Sequence, residues 1–165
     1  MRDRSTRLSG FSYTGTFRYS LTFCTAERMA WFQDAECVRV MFTQLARAAE
    51  RTGFDVLAYC AMPDHLHLLI EGRAASSDAR QFIKLSKQLT EFAHRQRWHA
   101  RLWQASAWDR VLRTEDDSWA VIRYILANPV RAGLVKEPLD YPFSGSIKHT
   151  REDLVDAFVR ERRWT

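Results

Sequence analysis

Two histidines stand one residue apart in the segment Met62-Pro63-Asp64-His65-Leu66-His67-Leu68-Leu69-Ile70. A proline-aspartate turn signal leads into a short apolar run, a pattern typical of a buried strand. Because successive side chains of a strand point to opposite faces, His65 and His67 share one face. Two neighbouring imidazoles on a strand either make hydrogen bonds on a half-exposed sheet face or bind a metal ion. For this motif alone, the hydrogen-bonded pair is the commoner arrangement.

Tyr124 and Asn128 form a second candidate pair, four residues apart in a segment of helical character. That spacing places both residues on one side of a helix. The phenol of Tyr124 is a potential nucleophile, and the amide oxygen of Asn128 is a hard ligand. Together with His65 and His67, the Asn128 amide forms a set of nitrogen and oxygen ligands. Such a mixed set suits Mg²⁺ or Mn²⁺ better than structural zinc. Each residue also has a structural alternative, which is helix packing for Tyr124 and a helix cap before a proline for Asn128.

The elements that position these residues follow from hydrophobic periodicity. Strands are predicted over 17–24, 54–62, 65–72 and the later part of 102–113, and helices over 34–52, from Ser76 or Ser77 to Trp98, from about 116 to 126 or 128, and over 152–163. This order predicts an α+β fold of ferredoxin-like character. Its mostly antiparallel sheet has helices packed on one face and the active site on the other. The 165 residues are expected to form one domain, with a basic arm at 1–16 and a basic helix or tail at 150–165.

The charge of the chain favours a nucleic-acid partner. The net charge is +5, and 21 of the 25 basic residues are arginine, whose guanidinium binds phosphate and stacks on bases. A GC-rich genome also enriches arginine, so composition alone leaves both explanations open. No apolar stretch approaches the roughly 20 residues that cross a bilayer. The basic N-terminus has no signal core after it, so we expect a cytoplasmic protein without a membrane partner.

Candidate DNA-binding residues lie on several of these elements. A row of basic residues at helical spacing is either a solvated face or a phosphate-binding stripe. Tryptophans interleaved with arginine either stack on unpaired bases or belong to the core. The candidate set is Arg18, Arg80, Lys84, Lys87, Trp103, Trp108, Arg110, Arg113 and Arg131.

Four segments, in this order along the chain, resemble the HUH single-tyrosine transposases and in particular their REP-associated subgroup. They are Met62-Pro63-Asp64-His65-Leu66-His67-Leu68-Leu69, Leu102-Trp103-Gln104, Asp109-Arg110-Val111-Leu112-Arg113 and Tyr124-Ile125-Leu126-Ala127-Asn128-Pro129-Val130-Arg131-Ala132-Gly133-Leu134-Val135. The resemblance covers about residues 15–145, and it is far more specific than the two histidines alone. Asp64 and Arg110 depart from the family pattern, in which Asn and His are frequent.

The resemblance implies an HUH fold and an enzyme that cleaves and rejoins single-stranded DNA at hairpins formed by palindromic repeats. In this reading His65, His67 and Asn128 bind Mg²⁺ or Mn²⁺, and Tyr124 forms a covalent 5′-phosphotyrosine. The implied partner is single-stranded or hairpin DNA, bound by a monomer or, as in related insertion-sequence transposases, by a dimer. Two alternatives remain at this point: a non-catalytic hairpin-binding protein on the same fold, and a metal nuclease that uses water.

Overall fold

A five-stranded sheet lies at the centre of the computed structural model, which describes residues 11–112 and 118–162. Within these residues the strands are β1 (Arg18–Cys24), β2 (Phe54–Met62), β3 (His65–Gly72), β4 (Trp108–Leu112) and β5 (Ser144–Gly145). Neighbouring strands run antiparallel in the order β4-β1-β3-β2-β5. The predicted α+β fold with an antiparallel sheet is therefore confirmed. Its two-residue strand β5 was not predicted.

Helices pack on both sides of this sheet. In the described part of the chain they are α1 (Ala35–Thr52), α2 (Ala79–Trp98), α3 (Ser118–Leu126), α4 (Asn128–Arg131) and α5 (Arg151–Arg162). None of these helices is long and apolar enough to cross a membrane. The predicted helix-start signal at 114–117 and residues 1–10 of the predicted basic arm lie outside the described residues.

One face of the sheet forms the larger core with α1 and α2. The apolar face of β3, made by Leu66, Leu68 and Ile70, belongs to one cluster with Met41 of α1 and Phe82 of α2. All five side chains are fully buried. Burying a side chain of this size contributes about 1.5–3 kcal/mol to the free energy of unfolding. This layer therefore holds β3 in a fixed position and directs its alternate residues to the opposite face.

The ends of α1 agree with the helix predicted over 34–52. The side chain of Asp34 accepts a hydrogen bond from the backbone N–H of Glu36, as an N-cap does. Gly53 ends the helix in the left-handed conformation, with φ of 74°. Strand β2 therefore begins directly after α1, at Phe54.

Helix α2 begins later than predicted. Its N-cap is Asp78, whose side chain accepts from the backbone N–H of Arg80. Ser77, one of the two residues predicted to start this helix, instead donates to the carbonyl of Gly53 at 2.7 Å. The Ser77 hydroxyl therefore connects the end of α1 with the segment before α2. Asp78, the next residue, caps α2 in its place.

The second face of the sheet carries both α3 and the two histidines. Ile122 and Ile125 of α3 belong to one buried cluster with Leu69 of β3. Leu69 lies on the same face of β3 as His65 and His67 because residues two apart in a strand point the same way. The face predicted to carry the active site is thus partly covered by a helix. That helix is the one that bears the candidate nucleophile.

Candidate active site

The two histidines of β3 turn their ring edges toward each other. The Nε2 atoms of His65 and His67 are 3.1 Å apart, and the ring planes are perpendicular. The other nitrogen of each ring meets an oxygen atom. His65 Nδ1 lies 2.7 Å from Asp64 Oδ1, and His67 Nδ1 lies 3.1 Å from Thr22 Oγ1. Both Nε2 atoms therefore converge on one point.

The charges around the pair set its protonation. Burial tends to raise the pKa of Asp64, but the hydrogen bond from His65 and the charge of Arg28 outweigh it and hold the pKa below its usual range. An ionised carboxylate only accepts hydrogen bonds, so the Nδ1 of a neutral His65 carries the proton and its Nε2 keeps a lone pair. Burial, together with repulsion from the imidazolium form of His65 and from the charge of Arg131, lowers the pKa of His67 to about 4. His67 is then neutral at pH 7, as a metal ligand must be.

The histidine pair fits a divalent ion of octahedral coordination. Adjacent ligands of such an ion, at roughly 2.1 Å from it, lie about 3 Å apart, close to the separation of the two Nε2 atoms. Oxygen partners on the remote ring nitrogens are the usual support of metal-binding histidines. Among the residues that the structure describes, no group of three or more His, Cys, Asp or Glu side chains is placed to hold a metal. Within this described part of the chain, the amide of Asn128 is the candidate for a further ligand.

Tyr124 and Asn128 lie where α3 ends and α4 begins. The Nδ2 of Asn128 donates to the carbonyls of Tyr124 and Ile125, at 3.3 and 3.1 Å. Asn128 therefore does cap α3, as its structural interpretation proposed. It does so through the amide nitrogen, which leaves the amide oxygen as the end available to a cation. The Tyr124 side chain is 60% exposed, so a substrate can reach its phenol.

Arg131 links this helix end to the histidines. Its guanidinium lies 4.1 Å from the centre of the Tyr124 ring, and its Nη2 donates to the Tyr124 carbonyl at 2.8 Å. The same positive charge is one of the causes that lower the pKa of His67. One cation thus contacts the candidate nucleophile and acts electrostatically on the candidate metal ligand.

Strand β4 brings two more candidates onto the face of the histidines. Trp108 lies opposite Thr22 of β1, and Thr22 lies opposite His67 of β3. Residues directly opposite each other in antiparallel strands share a face. Trp108 therefore lies two strand spacings, about 10 Å, from His67. Its side chain is 43% exposed, and Arg110, two residues further along β4, is exposed on the same face.

Arg18 also lies on this face but is engaged in the fold. Its Nε pairs with Glu71 Oε1 at 2.7 Å, and its Nη1 donates to Ser118 Oγ at 2.7 Å. The side chain joins β1 to β3 and to the first residue of α3. Its contacts thus position the helix that carries Tyr124.

The three basic candidates on α2 lie across the sheet from the histidines. Arg80 and Lys84 are exposed, with the Arg80 guanidinium over the ring of Tyr13. Lys87 differs, because its Nζ donates to the carbonyls of residues 104, 105 and 106 at 2.6, 3.3 and 3.0 Å. All three N–H donors of its ammonium group are therefore used within the fold. The predicted phosphate contact of Lys87 is corrected to a structural role in holding the 104–106 loop.

Trp103 is a core residue. It is 3% exposed, its Nε1 donates to Thr90 Oγ1 at 2.7 Å, and its ring packs against Phe23 and Phe32. The prediction of base stacking is therefore wrong for Trp103, and its alternative interpretation as a core aromatic holds. Arg113 lies outside the described residues.

The contacts of Thr22, Asp64 and Arg28 with the site do not follow from local sequence patterns. Alternation along β1 puts Thr22 on a polar face, and Asp64 is adjacent to a candidate ligand in the chain. Neither pattern predicts which histidine nitrogen is hydrogen-bonded to the side-chain oxygen of Thr22 or Asp64. Arg28 carries no local signal, because its contact with Asp64 joins residues far apart in the sequence.

The known proteins that resemble this chain are transposases. Residues 14–127 match the family model described as "Transposase IS200 like". A Haemophilus influenzae protein, provisionally named a REP-associated tyrosine transposase, is 26% identical over 121 residues, which cover 66% of this chain and 68% of the relative. The REP-associated tyrosine transposase of Escherichia coli K12 is 28% identical over 92 residues, covering 55% of this chain and 53% of the relative.

Two solved structures share the fold. A REP-associated tyrosine transposase bound to a REP hairpin superposes with a TM-score of 0.71 and 20% identity, covering 84% of this chain and 81% of the other. A protein from Deinococcus radiodurans R1, provisionally assigned as a transposase, gives a TM-score of 0.52 and 23% identity, covering 74% and 96%. The family match spans more than half of the chain. The protein therefore belongs to the IS200-like transposases, a family of enzymes that act on DNA.

Proposed function

We propose that this chain is a metal-dependent, site-specific endonuclease and strand transferase of single-stranded DNA at hairpins. It acts through a covalent 5′-phosphotyrosine on Tyr124. The observation that carries the proposal is the convergence of the two Nε2 atoms, 3.1 Å apart, with each Nδ1 held by an oxygen. The contact of Arg131 with Tyr124, and its charge near His67, support a common site for the nucleophile and the ion.

His65, His67 and the amide oxygen of Asn128 are the residues that would hold the ion, Mg²⁺ or Mn²⁺. When bound, such an ion supplies Lewis-acid polarisation of the scissile phosphate. The protein supplies the orientation. Oxygen partners fix both imidazoles, and the end of α3 presents an exposed phenol beside the cation of Arg131.

Cleavage is a transesterification at phosphorus. The Tyr124 oxygen forms a bond to phosphorus while the bond from phosphorus to the 3′ oxygen breaks, and the phenol proton ends on the released 3′-hydroxyl. The downstream DNA remains attached to the protein through its 5′ phosphate. Attack by a 3′-hydroxyl reverses these changes and returns the proton to Tyr124. Rejoining therefore needs no nucleotide cofactor, because the phosphotyrosine retains the energy of the broken bond.

The exposed face of the sheet supports single-stranded DNA as the substrate. Trp108 offers a ring on which an unpaired base can stack, and Arg110 offers a cation for the phosphates. The exposed Arg80 and Lys84 on α2 are candidates for contacts with a paired stem. A hairpin as the specific partner is supported by the solved neighbour, which was determined bound to a REP hairpin.

A cleavage assay tests the proposal. Hairpin oligonucleotides with single-stranded flanks and a label at the 3′ end are incubated with the protein in Mg²⁺, Mn²⁺ or EDTA. We expect a labelled protein–DNA adduct that resists denaturation, forms only with metal and disappears when excess 3′-hydroxyl strand is added. Binding that is insensitive to EDTA, with no adduct on any hairpin, would instead support a DNA-binding protein without catalysis. Cleavage without an adduct would support a nuclease that uses water.

Replacing Trp108 by alanine should weaken binding of a single-stranded oligonucleotide by about 1–3 kcal/mol, because the base loses its stacking partner. Fluorescence anisotropy at fixed ionic strength measures the change. Trp98→Ala is the matched control, since this partly buried tryptophan ends α2 on the other side of the sheet. Equal losses in the two variants would contradict a stacking role for Trp108.

A further inference from the structure

The turn that leads into β3 is held by the loop after β1. The backbone N–H and the hydroxyl of Thr25 both donate to the Asp64 carbonyl, at 3.0 and 2.9 Å. The backbone N–H of Phe32 donates to the carbonyl of Pro63 at 3.0 Å. Thr25 is fully buried, so these bonds are shielded from water. The loop therefore fixes the main chain of Asp64 without using its carboxylate.

The same loop contains an unusual backbone conformation. Glu27 and Arg28 both have positive φ, 55° and 56°, although each carries a full side chain. Residues other than glycine rarely adopt this conformation, and two in succession need compensation from the surrounding structure. The resulting turn directs the Arg28 guanidinium back to the start of β3, where its Nε lies 2.8 Å from Asp64 Oδ2.

The carboxylate of Asp64 thus has one oxygen for each of two partners. Oδ2 accepts from Arg28, and Oδ1 accepts from Nδ1 of His65 at 2.7 Å. Because a carboxylate has no proton to donate, this geometry selects the His65 tautomer with the proton on Nδ1. Only that tautomer presents an Nε2 lone pair toward His67.

We infer that Arg28 and Asp64 are positioning residues for His65. Arg28 orients the carboxylate, the carboxylate fixes the tautomer and ring angle of His65, and Nε2 is thereby held ready for the ion. The inference rests on the proposed metal-dependent cleavage. It assigns Asp64 to the support of a ligand, and it explains why the backbone at residues 27 and 28 is held in a costly conformation.

The test compares Asp64→Ala, Asp64→Asn and Arg28→Gly in the full-length protein. Asp64→Ala keeps the main-chain bonds to Thr25, and glycine is the residue best suited to the positive φ at position 28, so both variants keep the backbone bonds of the loop. The control is Arg39→Ala, which breaks an exposed ion pair of similar length with Glu36 on α1.

Two measurements decide the inference: Mn²⁺ affinity without DNA, by electron paramagnetic resonance, and the His65 tautomer in the metal-free protein, by nitrogen NMR of the histidine rings. In Asp64→Ala we expect the Mn²⁺ dissociation constant to rise about 10- to 100-fold and the Nε2–H tautomer of His65 to appear. Arg28→Gly should change the Mn²⁺ dissociation constant and the tautomer population in the same direction, but by a smaller amount. Asp64→Asn should lie nearer to the wild type, because its amide oxygen still accepts from Nδ1, and Arg39→Ala should change neither.

Retention of the Nδ1–H tautomer in Asp64→Ala, or Mn²⁺ affinity within about twofold of the wild type, would overturn the inference. A wild-type protein that binds no Mn²⁺ would instead overturn the proposed function. The tautomer measurement needs no metal, so the two failures can be told apart.

Discussion

Tyr124→Phe is expected to abolish the covalent protein–DNA adduct and to reduce hairpin cleavage by at least about a thousandfold. The substitution removes only the phenolic oxygen, which is the atom proposed to attack phosphorus. The aromatic ring remains, so the contact with the Arg131 guanidinium at 4.1 Å is retained. Helix capping by Asn128 is also retained, because it uses the backbone carbonyl of residue 124. Hairpin binding should therefore remain close to that of the wild type.

The measurement is the denaturing-gel assay with DNA labelled at its 3′ end, together with a binding titration of the same oligonucleotide. Tyr59→Phe is the control, since it removes a phenol from β2 on the face that packs against α1. An adduct formed by Tyr124→Phe at the wild-type rate would show that another residue is the nucleophile.

His67→Ala should eliminate measurable Mn²⁺ binding and lower the cleavage rate by roughly a thousandfold, since Lewis-acid stabilisation of a transition state contributes several kcal/mol. His67 contributes one of the two converging Nε2 atoms, so its loss removes the nitrogen that lies 3.1 Å from Nε2 of His65. Isothermal titration with Mn²⁺ and single-turnover cleavage measure the two effects. Hairpin binding in EDTA should be unchanged.

The matched control for this prediction is His99→Gly. It also removes an imidazole, but at the C-cap of α2, where φ is 53° and glycine is well tolerated. This variant should bind Mn²⁺ and cleave as the wild type does. If His67→Ala retained both activities, the two histidines would be a hydrogen-bonded pair on a sheet face and the ion would bind elsewhere.

Local sequence patterns predicted most of the secondary structure. The ends of α1 match the predicted range 34–52, and both caps, Asp34 and Gly53, act on their immediate neighbours. The start of α2 was predicted incorrectly because Ser77 is bound to a carbonyl 24 residues earlier in the chain. The end of a helix is therefore predictable from the sequence where its stabilising partner is also local.

In the candidate site, too, local patterns predicted some features and contacts between distant residues determined the others. His65 and His67 were placed on one face by strand alternation, but the partner of His67, Thr22, depends on the register between β1 and β3. Helical spacing put Lys87 in a row with other cations and could not reveal its three bonds to the 104–106 loop. Trp103 and Trp108 look equivalent in the sequence, yet one lies in the core and the other on the exposed face of β4. Each difference is set by tertiary contacts.

The carbonyl of Tyr124 accepts from both Asn128 Nδ2 and Arg131 Nη2, although carbonyls at a helix C-terminus have no partner within the helix. The backbone of the proposed nucleophile is therefore secured at a point where helices usually fray, and the guanidinium above the ring restricts its torsions as well. A group held in this way has little conformational entropy left to lose when the phosphate arrives. In the proposed reaction its effective concentration at the reacting atom would be raised accordingly, and the helix end itself would lower the entropic part of the activation barrier.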